Sequence, residues 1–289
     1  MMQQANHMQT GQTNERWIFD EDPQSKLLNL GVFGIDNGLE DVEAVVLNRH
    51  ARLPELVSRL RLQPDDLVVD LGSGMGFVAE VVAPLVHTLY CVDISPSFLA
   101  DTTARLDTQG IQNVEYVLTD YADFSHSFQF RVSKIYSLLL FIHFNYFDFL
   151  YYLVECNRIL LDGGLLYFDF NDGDRFTLGN PADSFNAQIP LYKPNRKDWI
   201  FNCMHMGSLT LLRNVAPQLG FEFEATYHGT TCHSQALLRK VADAPDLDLP
   251  VAANGYTRLA PEHPSVPNAD QSSMRQLLRR VKRALERRP

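Results

Sequence analysis

Between Leu67 and Leu238 the chain alternates short apolar, β-branched runs with longer stretches of helical period. An apolar run without alternation suits a strand covered on both faces. On that basis Leu67–Asp70, Thr88–Val92, Val114–Leu118, Lys134–Leu140 and Leu165–Phe170 are predicted strands. Helices are predicted over Phe77–Val86, from Ser95-Pro96 to Thr108, and around Asp148–Leu161. Pro96 suits the first position of the second helix, and Gly163-Gly164 is expected to close the third. Further on, Ser208–Leu219 predicts a helix ending at Gly220, and Phe221–Tyr227 and Thr231–Leu238 predict two strands, expected as an antiparallel pair at a sheet edge. Strands alternating with helices call for a parallel sheet covered on both sides. The expected fold class is therefore α/β, a doubly wound, mostly parallel sheet of seven strands with ligands beyond the carboxyl ends of its strands.

The pattern is different outside this block. Residues 1–14 are polar and Gln-rich, without the basic start and apolar run of a signal peptide, and are expected to be disordered. Residues 15–63 are expected to form a helical N-terminal cap, in which Leu39–Leu60 has helical spacing and Pro54 divides it into two helices. The sheet domain is assigned to 64–240, interrupted by an irregular insertion, 171–206, of the length that usually carries function. Residues 241–272 hold five of the fifteen prolines and are expected to be a linker. From 273 to 289 apolar positions at i, i+3, i+4, i+7, i+10 and i+11 (Met274, Leu277, Leu278, Val281, Ala284, Leu285) line one face of a basic amphipathic helix. Ile135–Val154 is long and apolar enough for a membrane span, but His143, Asn145 and Asp148 interrupt it, so a buried strand followed by a helix is expected.

Charge sharpens this division. The whole chain carries −10, but Ser273–Pro289 alone carries +6, leaving −16 on the rest. An acidic body argues against a nucleic-acid partner. The basic helix is expected to dock on an anionic membrane surface or on a protein. The four cysteines lie far apart without a C-x-x-C pair, which points to a reducing, cytoplasmic setting, with peripheral attachment at the inner face of a membrane as the extension.

The chemistry begins at Val68–Ala79. An acidic residue, Asp70, ends a strand, and Gly72, Gly74 and Gly76 turn the chain into a helix N-terminus. Glycines admit a ligand close to the backbone, and the helix start can receive a carboxylate. Phe77 occupies the place of the third glycine of a dinucleotide fingerprint, which argues against NAD. Asp93 ends the second strand where an acid can accept from both ribose hydroxyls, and Asp120 follows the third, where it can accept from an adenine amino group. With Asp120-Tyr121 and Arg158-Ile159-Leu160-Leu161-Asp162-Gly163-Gly164, in which Asp162 replaces a proline, the chain resembles the class I S-adenosylmethionine-dependent methyltransferases. The resemblance implies a Rossmann-like fold and S-adenosyl-L-methionine as cofactor. It implies that Asp70, Gly72, Ser73, Gly74 and Gly76 cradle the methionine part, that Asp93 and Ile94 hold the ribose, and that Asp120 and Tyr121 frame the adenine.

In-line methyl transfer requires an acceptor held against the methyl group, and a hydroxyl acceptor also needs a base. His143, following the fourth strand, is the first candidate, with His205 and Asp169 as alternatives. Arg175, Arg196, Lys197 and Trp199 of the insertion are candidates for holding an anionic or sugar-like acceptor. Cys203, His205, His228, Cys232 and His233 fit no zinc spacing, and no metal is expected. The expected function is O-methylation of a small molecule or glycan. N-methylation of a small amine or amino sugar, and a SAM-binding regulatory or scaffold subunit without catalysis, are the alternatives. A nucleic-acid acceptor is disfavoured because Ser137-Leu138-Leu139-Leu140 stands where an Asn/Asp-Pro-Pro-Tyr motif would be.

Overall fold

The computed structural model describes residues 53–119, 124–178, 205–229 and 231–245. The expected N-terminal tail and most of the cap, Asp120 and Tyr121, the greater part of the insertion with Arg196, Lys197, Trp199 and Cys203, and the Pro-rich and basic C-terminal segments lie outside these residues. The chain divides into two units, Met1–Ala244 and Pro245–Pro289, and every element below belongs to the first.

Helix α1 (53–60) buries Leu53, Leu56 and Leu60, the face its spacing predicts. There follow β1 (Leu67–Leu71), α2 (Ala79–Val82), β2 (Thr88–Asp93), α3 (Pro96–Thr108), β3 (Val114–Leu118), β4 (Val132–Ser137), α4 (Tyr146–Ile159), β5 (Leu160–Asp172), β6 (Met206–Gly207), α5 (Leu209–Val215), β7 (Phe221–His228) and β8 (His233–Lys240). The strands form one sheet in the order β3-β2-β1-β4-β5-β8-β7, with β6 pairing β5 off this path. Pairs among β1 to β5 are parallel, whereas β8 runs antiparallel to both β5 and β7. The predicted doubly wound sheet and its antiparallel pair are therefore present, with β8 one place inside the edge and β6 an addition.

Caps explain where helices start. Ser95 Oγ accepts from Phe98 N ahead of Pro96, Asn145 accepts from the amides of Phe147 and Asp148, and Ser208 accepts from Leu211 N. Boundaries depart from expectation at three places. The helix after the glycine turn is a single α turn followed by a 3-10 turn, Ala83–Leu85, because Pro84 lacks the amide needed to continue it. Strand β4 ends at Ser137, and Leu139 takes a left-handed φ of 64° that breaks the extended chain before a 3-10 turn at Phe141–His143. Gly163-Gly164 do not close α4, which ends at Ile159, but lie inside β5. There the β4–β5 register slips between Val132↔Leu160 and Lys134↔Leu165, and a Cβ on Gly164 would sit 2.7 Å from the Leu161 carbonyl oxygen.

Two apolar clusters cover the two faces of the sheet. One joins Leu166, Phe168, Phe170, Ala236 and Leu238 to α4 and α5. The other joins Val68, Cys91, Tyr136, Tyr167 and Leu237 to α1, α2 and α3. Strand alternation then places Asp70, Asp93, Asp169 and His233 on this second face. Arg59 fixes α1 there, donating to the Tyr167 hydroxyl (2.7 Å) and Gln235 Oε1 (2.5 Å) with its guanidinium 3.8 Å from the centre of the Tyr227 ring. The segment Ile135–Val154 resolves into the end of β4, a 3-10 turn and most of α4, and among the described residues no helix is long and apolar enough to cross a membrane.

Candidate functional site

Two groups of polar residues meet the carboxyl ends of the strands. The first is built on β1 and β2. Gly72, Gly74 and Gly76 all have positive φ (78°, 54° and 77°), which side chains rarely adopt. Gly72 N and Ser73 N donate to the Val92 carbonyl, so the turn is laced to the end of β2. Gly76 is packed, since a Cβ would lie 2.8 Å from Thr102 Cγ2, whereas one on Gly74 would meet nothing within 4 Å. Helix α3 braces the turn from below, Thr102 Oγ1 donating to Gly74 O (2.7 Å) and Arg105 Nε to Met75 O (3.0 Å). The Arg105 guanidinium also covers the Phe77 ring at 4.0 Å from its centre.

Asp93 closes the turn. Its Oδ2 accepts from Gly74 N and its Oδ1 from Ser95 N, each at 2.9 Å. Burial pushes its pKa up to about 6, and the amides of Ser95, Gly74 and Ile94 pull against that rise. Asp70, 3% exposed, is pushed up to about 7, chiefly by burial; the Tyr136 hydroxyl opposes the rise and the charge of Asp93 adds to it. Asp70 Oδ2, Ser73 Oγ and Tyr136 Oη are buried without a partner in good hydrogen-bond geometry, although the Tyr136 hydroxyl is close enough to Asp70 to affect its ionisation. Buried polar atoms in native proteins are ordinarily satisfied. Two unsatisfied oxygens beside a turn with open space over Gly74 fit a ligand that brings cationic or donor groups. Asp70, Ser73 and the turn amides suit an amino acid moiety, and the remaining lone pairs of Asp93 suit a ribose diol.

The second group lies at the ends of β4, β5 and β8. Asp169 Oδ1 accepts from Leu139 N at 2.6 Å, and its Oδ2 stands 3.1 Å from His233 Nε2. His143 ends the 3-10 turn after β4 and is half-buried. His205 N donates to the carbonyl of Ile142 (2.6 Å), and Asn171 Nδ2 donates to His205 O (3.3 Å). Burial lowers the His205 pKa, which keeps the ring neutral, while the charge of Asp148 opposes it. The structure thus brings His143, His205 and Asp169, from three separate stretches of chain, to one end of the sheet.

Other expected site residues are placed differently. Arg175 turns to the β7–β8 hairpin, donating to Gly229 O (2.9 Å) and Ser234 Oγ (3.4 Å). His228 pairs with Ser234 Oγ (3.0 Å) and Cys232 is buried. Thr102 and Arg105 as supports of the turn, and His233 as the partner of Asp169, are not apparent from the sequence. The first two carry no signal beyond their place one turn apart on α3, and the third depends on the antiparallel register Asp169↔Gln235.

Residues 68–164, about a third of the chain, match a protein family described as a methyltransferase domain. A protein-L-isoaspartate O-methyltransferase of Nitrosospira multiformis is 34% identical over 70 residues, 24% of this chain and 28% of that protein. The protein named "Probable cobalt-precorrin-6B C(15)-methyltransferase (decarboxylating)" of Methanococcus maripaludis is 28% identical over 90 residues, 31% of this chain and 50% of that protein. The matched segment therefore spans less than a third of the first relative and half of the second. The crystal structure of magnesium protoporphyrin IX methyltransferase from Synechocystis, with bound SAH, superposes with a TM-score of 0.53 at 16% identity, covering 70% of this chain and 86% of that one. The β1 turn and the strand order agree with this match of residues 68–164 to a methyltransferase domain.

Proposed function

We propose that the protein methylates a hydroxyl of a small-molecule or glycan acceptor, using S-adenosyl-L-methionine held at the β1–β2 turn. The observation that supports this most is the juxtaposition of two unlike sites on one sheet face. A glycine turn with unsatisfied buried oxygens on Asp70 and Ser73 stands at one end, and histidines and a buried carboxylate stand at the other. Asp93 and Ile94 are assigned to the ribose, Asp70 and residues 72–76 to the methionine part, and Asp120 and Tyr121 to the adenine. S-adenosylmethionine supplies a methyl group bonded to a positively charged sulfur.

The chain's own residues must then orient the acceptor, exclude water and accept a proton. The proton is assigned to His143, with His205 as the alternative. Asp169 is 3% exposed with both oxygens engaged, which suits a positioning group better than a base. Arg175, Arg196, Lys197 and Trp199 are assigned to the acceptor's outer contacts. The +6 charge of Ser273–Pro289 supports docking on an anionic inner membrane face or an acidic protein surface, and the −16 of the remainder speaks against nucleic acid.

Calorimetry with S-adenosylmethionine, followed by transfer of its labelled methyl group to sugar nucleotides, glycans, small phenols and amines, tests the assignment. Binding with transfer to hydroxyls is expected. Transfer confined to amines would move the reading to N-methylation, binding without any transfer to a regulatory subunit, and absence of binding would end it.

A further inference from the structure

We propose that Asp70 is a proton-exchanging anchor for the cofactor, holding a proton in the cofactor-free protein and releasing it to solvent when the ammonium of the methionine part binds, with Tyr136 positioning its carboxyl group. The inference rests on the assignment of the methionine part to Asp70 above and deepens it, because such an anchor makes cofactor affinity depend on pH.

Three observations carry it. First, Asp70 is a buried acid between neutral neighbours. The parallel registers Asp70↔Cys91 and Asp70↔Tyr136 put a thiol on one side of it and a phenol on the other, on the sheet face covered by α1, α2 and α3. Burial holds the Cys91 thiol and the Tyr136 hydroxyl well above their ordinary pKa values, so each keeps its proton. The charge that bears on Asp70 is that of another acid, Asp93. Second, the cations of the surrounding elements are committed elsewhere. Arg105 of α3 donates to Met75 O and pairs with Glu80 of α2. Lys134 of β4 lies 2.5 Å from Asp66 Oδ2, and Arg59 of α1 pairs with Glu55 and donates to the Tyr167 hydroxyl. The other titratable groups of α3, Asp101 and Asp107, are acids. One strand further out, burial keeps the Tyr116 and Tyr167 hydroxyls protonated, and Asp169 accepts from Leu139 N. Third, Asp70 Oδ2 and Ser73 Oγ are buried without a partner beside a turn where a Cβ on Gly74 would meet nothing within 4 Å. A bare buried carboxylate is costly unless it meets a cation or takes up a proton. The rise of the Asp70 pKa to about 7 expresses the second outcome, and a bound ammonium supplies the first.

Tyr136 steadies the form that receives the ligand. Its hydroxyl opposes the rise in the Asp70 pKa and so favours the carboxylate. In the exchange the Asp70 O–H bond breaks, its electron pair stays on the carboxyl oxygen, and the proton passes to water. The carboxylate left behind accepts from the ammonium. Below the Asp70 pKa binding must displace this proton, so affinity falls as pH falls, by up to about tenfold per unit, and levels off above about pH 8. Asp93, pushed up to about 6, titrates lower and contributes less near neutrality.

The test is calorimetry of S-adenosylmethionine binding to the full chain in phosphate and in imidazole, whose different ionisation enthalpies reveal the protons exchanged. The wild-type protein is expected to release about half a proton at pH 7, and its affinity to rise about tenfold between pH 6 and pH 7.5. S-adenosylhomocysteine, which has the same ammonium and no charge on sulfur, should release the same amount. Asp70→Asn should bind more weakly at pH 7.5, release almost no proton at pH 7, and keep only the rise of about twofold that Asp93 contributes. Tyr136→Phe should bind with the rise in affinity displaced to higher pH, which a loss of packing alone would not produce. The wild-type and Tyr136→Phe measurements decide the matter if Asp70→Asn does not fold. Wild-type binding without proton release at pH 7 overturns the proposal, as does release undiminished in Asp70→Asn or confined to S-adenosylmethionine. An undisplaced profile in Tyr136→Phe overturns the role given to Tyr136. Absence of binding by either ligand between pH 6 and pH 7.5 is instead a failure of the cofactor assignment.

Discussion

The two ends of the site are built in opposite ways. The β1–β2 end is made of backbone from one short stretch, residues 70–76, fastened by Asp93 only nineteen residues beyond Gly74. Three glycines give it shape, and few side chains reach the ligand space. The β4–β5–β8 end is made of groups brought together from residues 139, 143, 169, 205 and 233, and its shape depends on an antiparallel register and on one buried carboxylate. A common cofactor can be met by a fixed backbone cradle, whereas an acceptor that differs among proteins is met by replaceable side chains. The difference teaches that the first end should fail through loss of binding or of fold, and the second through loss of rate or acceptor affinity with cofactor binding intact.

The strongest challenge to that contrast is Asp93→Ala. It removes the acceptor proposed for the ribose and also frees the amides of Gly74 and Ser95, so cofactor affinity should fall by about 100- to 1000-fold, about 3–4 kcal/mol. Calorimetry that gives an unchanged Kd would dismiss the ribose assignment. Next is Gly76→Ala. Its φ of 77° and the 2.8 Å approach to Thr102 Cγ2 predict a loss of about 2–3 kcal/mol of stability. Thermal unfolding checks it, and the same substitution at Gly74, where space is open, should cost less.

Titration of Asp70 sharpens the comparison at the first end. Its folded pKa, about 7, lies above the 3.8 of the free side chain. The folded state therefore binds more protons between those values, and its stability is highest near the lower one and declines as pH rises to about 7. Without cofactor the protein should be less stable at pH 8 than at pH 5 by about 1–3 kcal/mol from this group. Asp70→Asn should flatten that slope in chemical denaturation, and an equally steep slope in the variant would assign it elsewhere. The smallest expected effect belongs to the second end. Arg175→Ala removes the bonds to Gly229 and Ser234, costs about 1 kcal/mol, and should raise an acceptor KM while S-adenosylmethionine affinity stays the same. A matching loss of cofactor affinity would show that the two ends are not separable.

The β1 turn was legible because everything that makes it is local. Glycine spacing, the acid ending the strand and the following helix are encoded within a dozen residues, and Asp93 follows at the next strand end. The caps Ser95, Asn145 and Ser208 lie where local hydrogen bonding puts them, and the sequence pattern by itself marks the helix starts at Ser95-Pro96 and Ser208. Gly163-Gly164 misled because a glycine pair after a helical pattern serves equally as a helix stop or as a kink in a strand, and the slip against β4 decides between them. Leu139 ended β4 early through a backbone conformation that leucine gives no hint of. His233 was visible as a residue but not as the partner of Asp169, because sixty-four positions of chain separate them.

From the residues alone come the α/β class, the order of its strands and helices along the chain, and the chemistry of the glycine turn, since periodicity and turn residues act over a few positions. The tertiary structure decided which strand lies beside which, that β8 reverses direction between β5 and β7, and that Asp169 faces His233. Pairing across a sheet is a long-range contact whose energy belongs to neither strand by itself, and no local pattern records it.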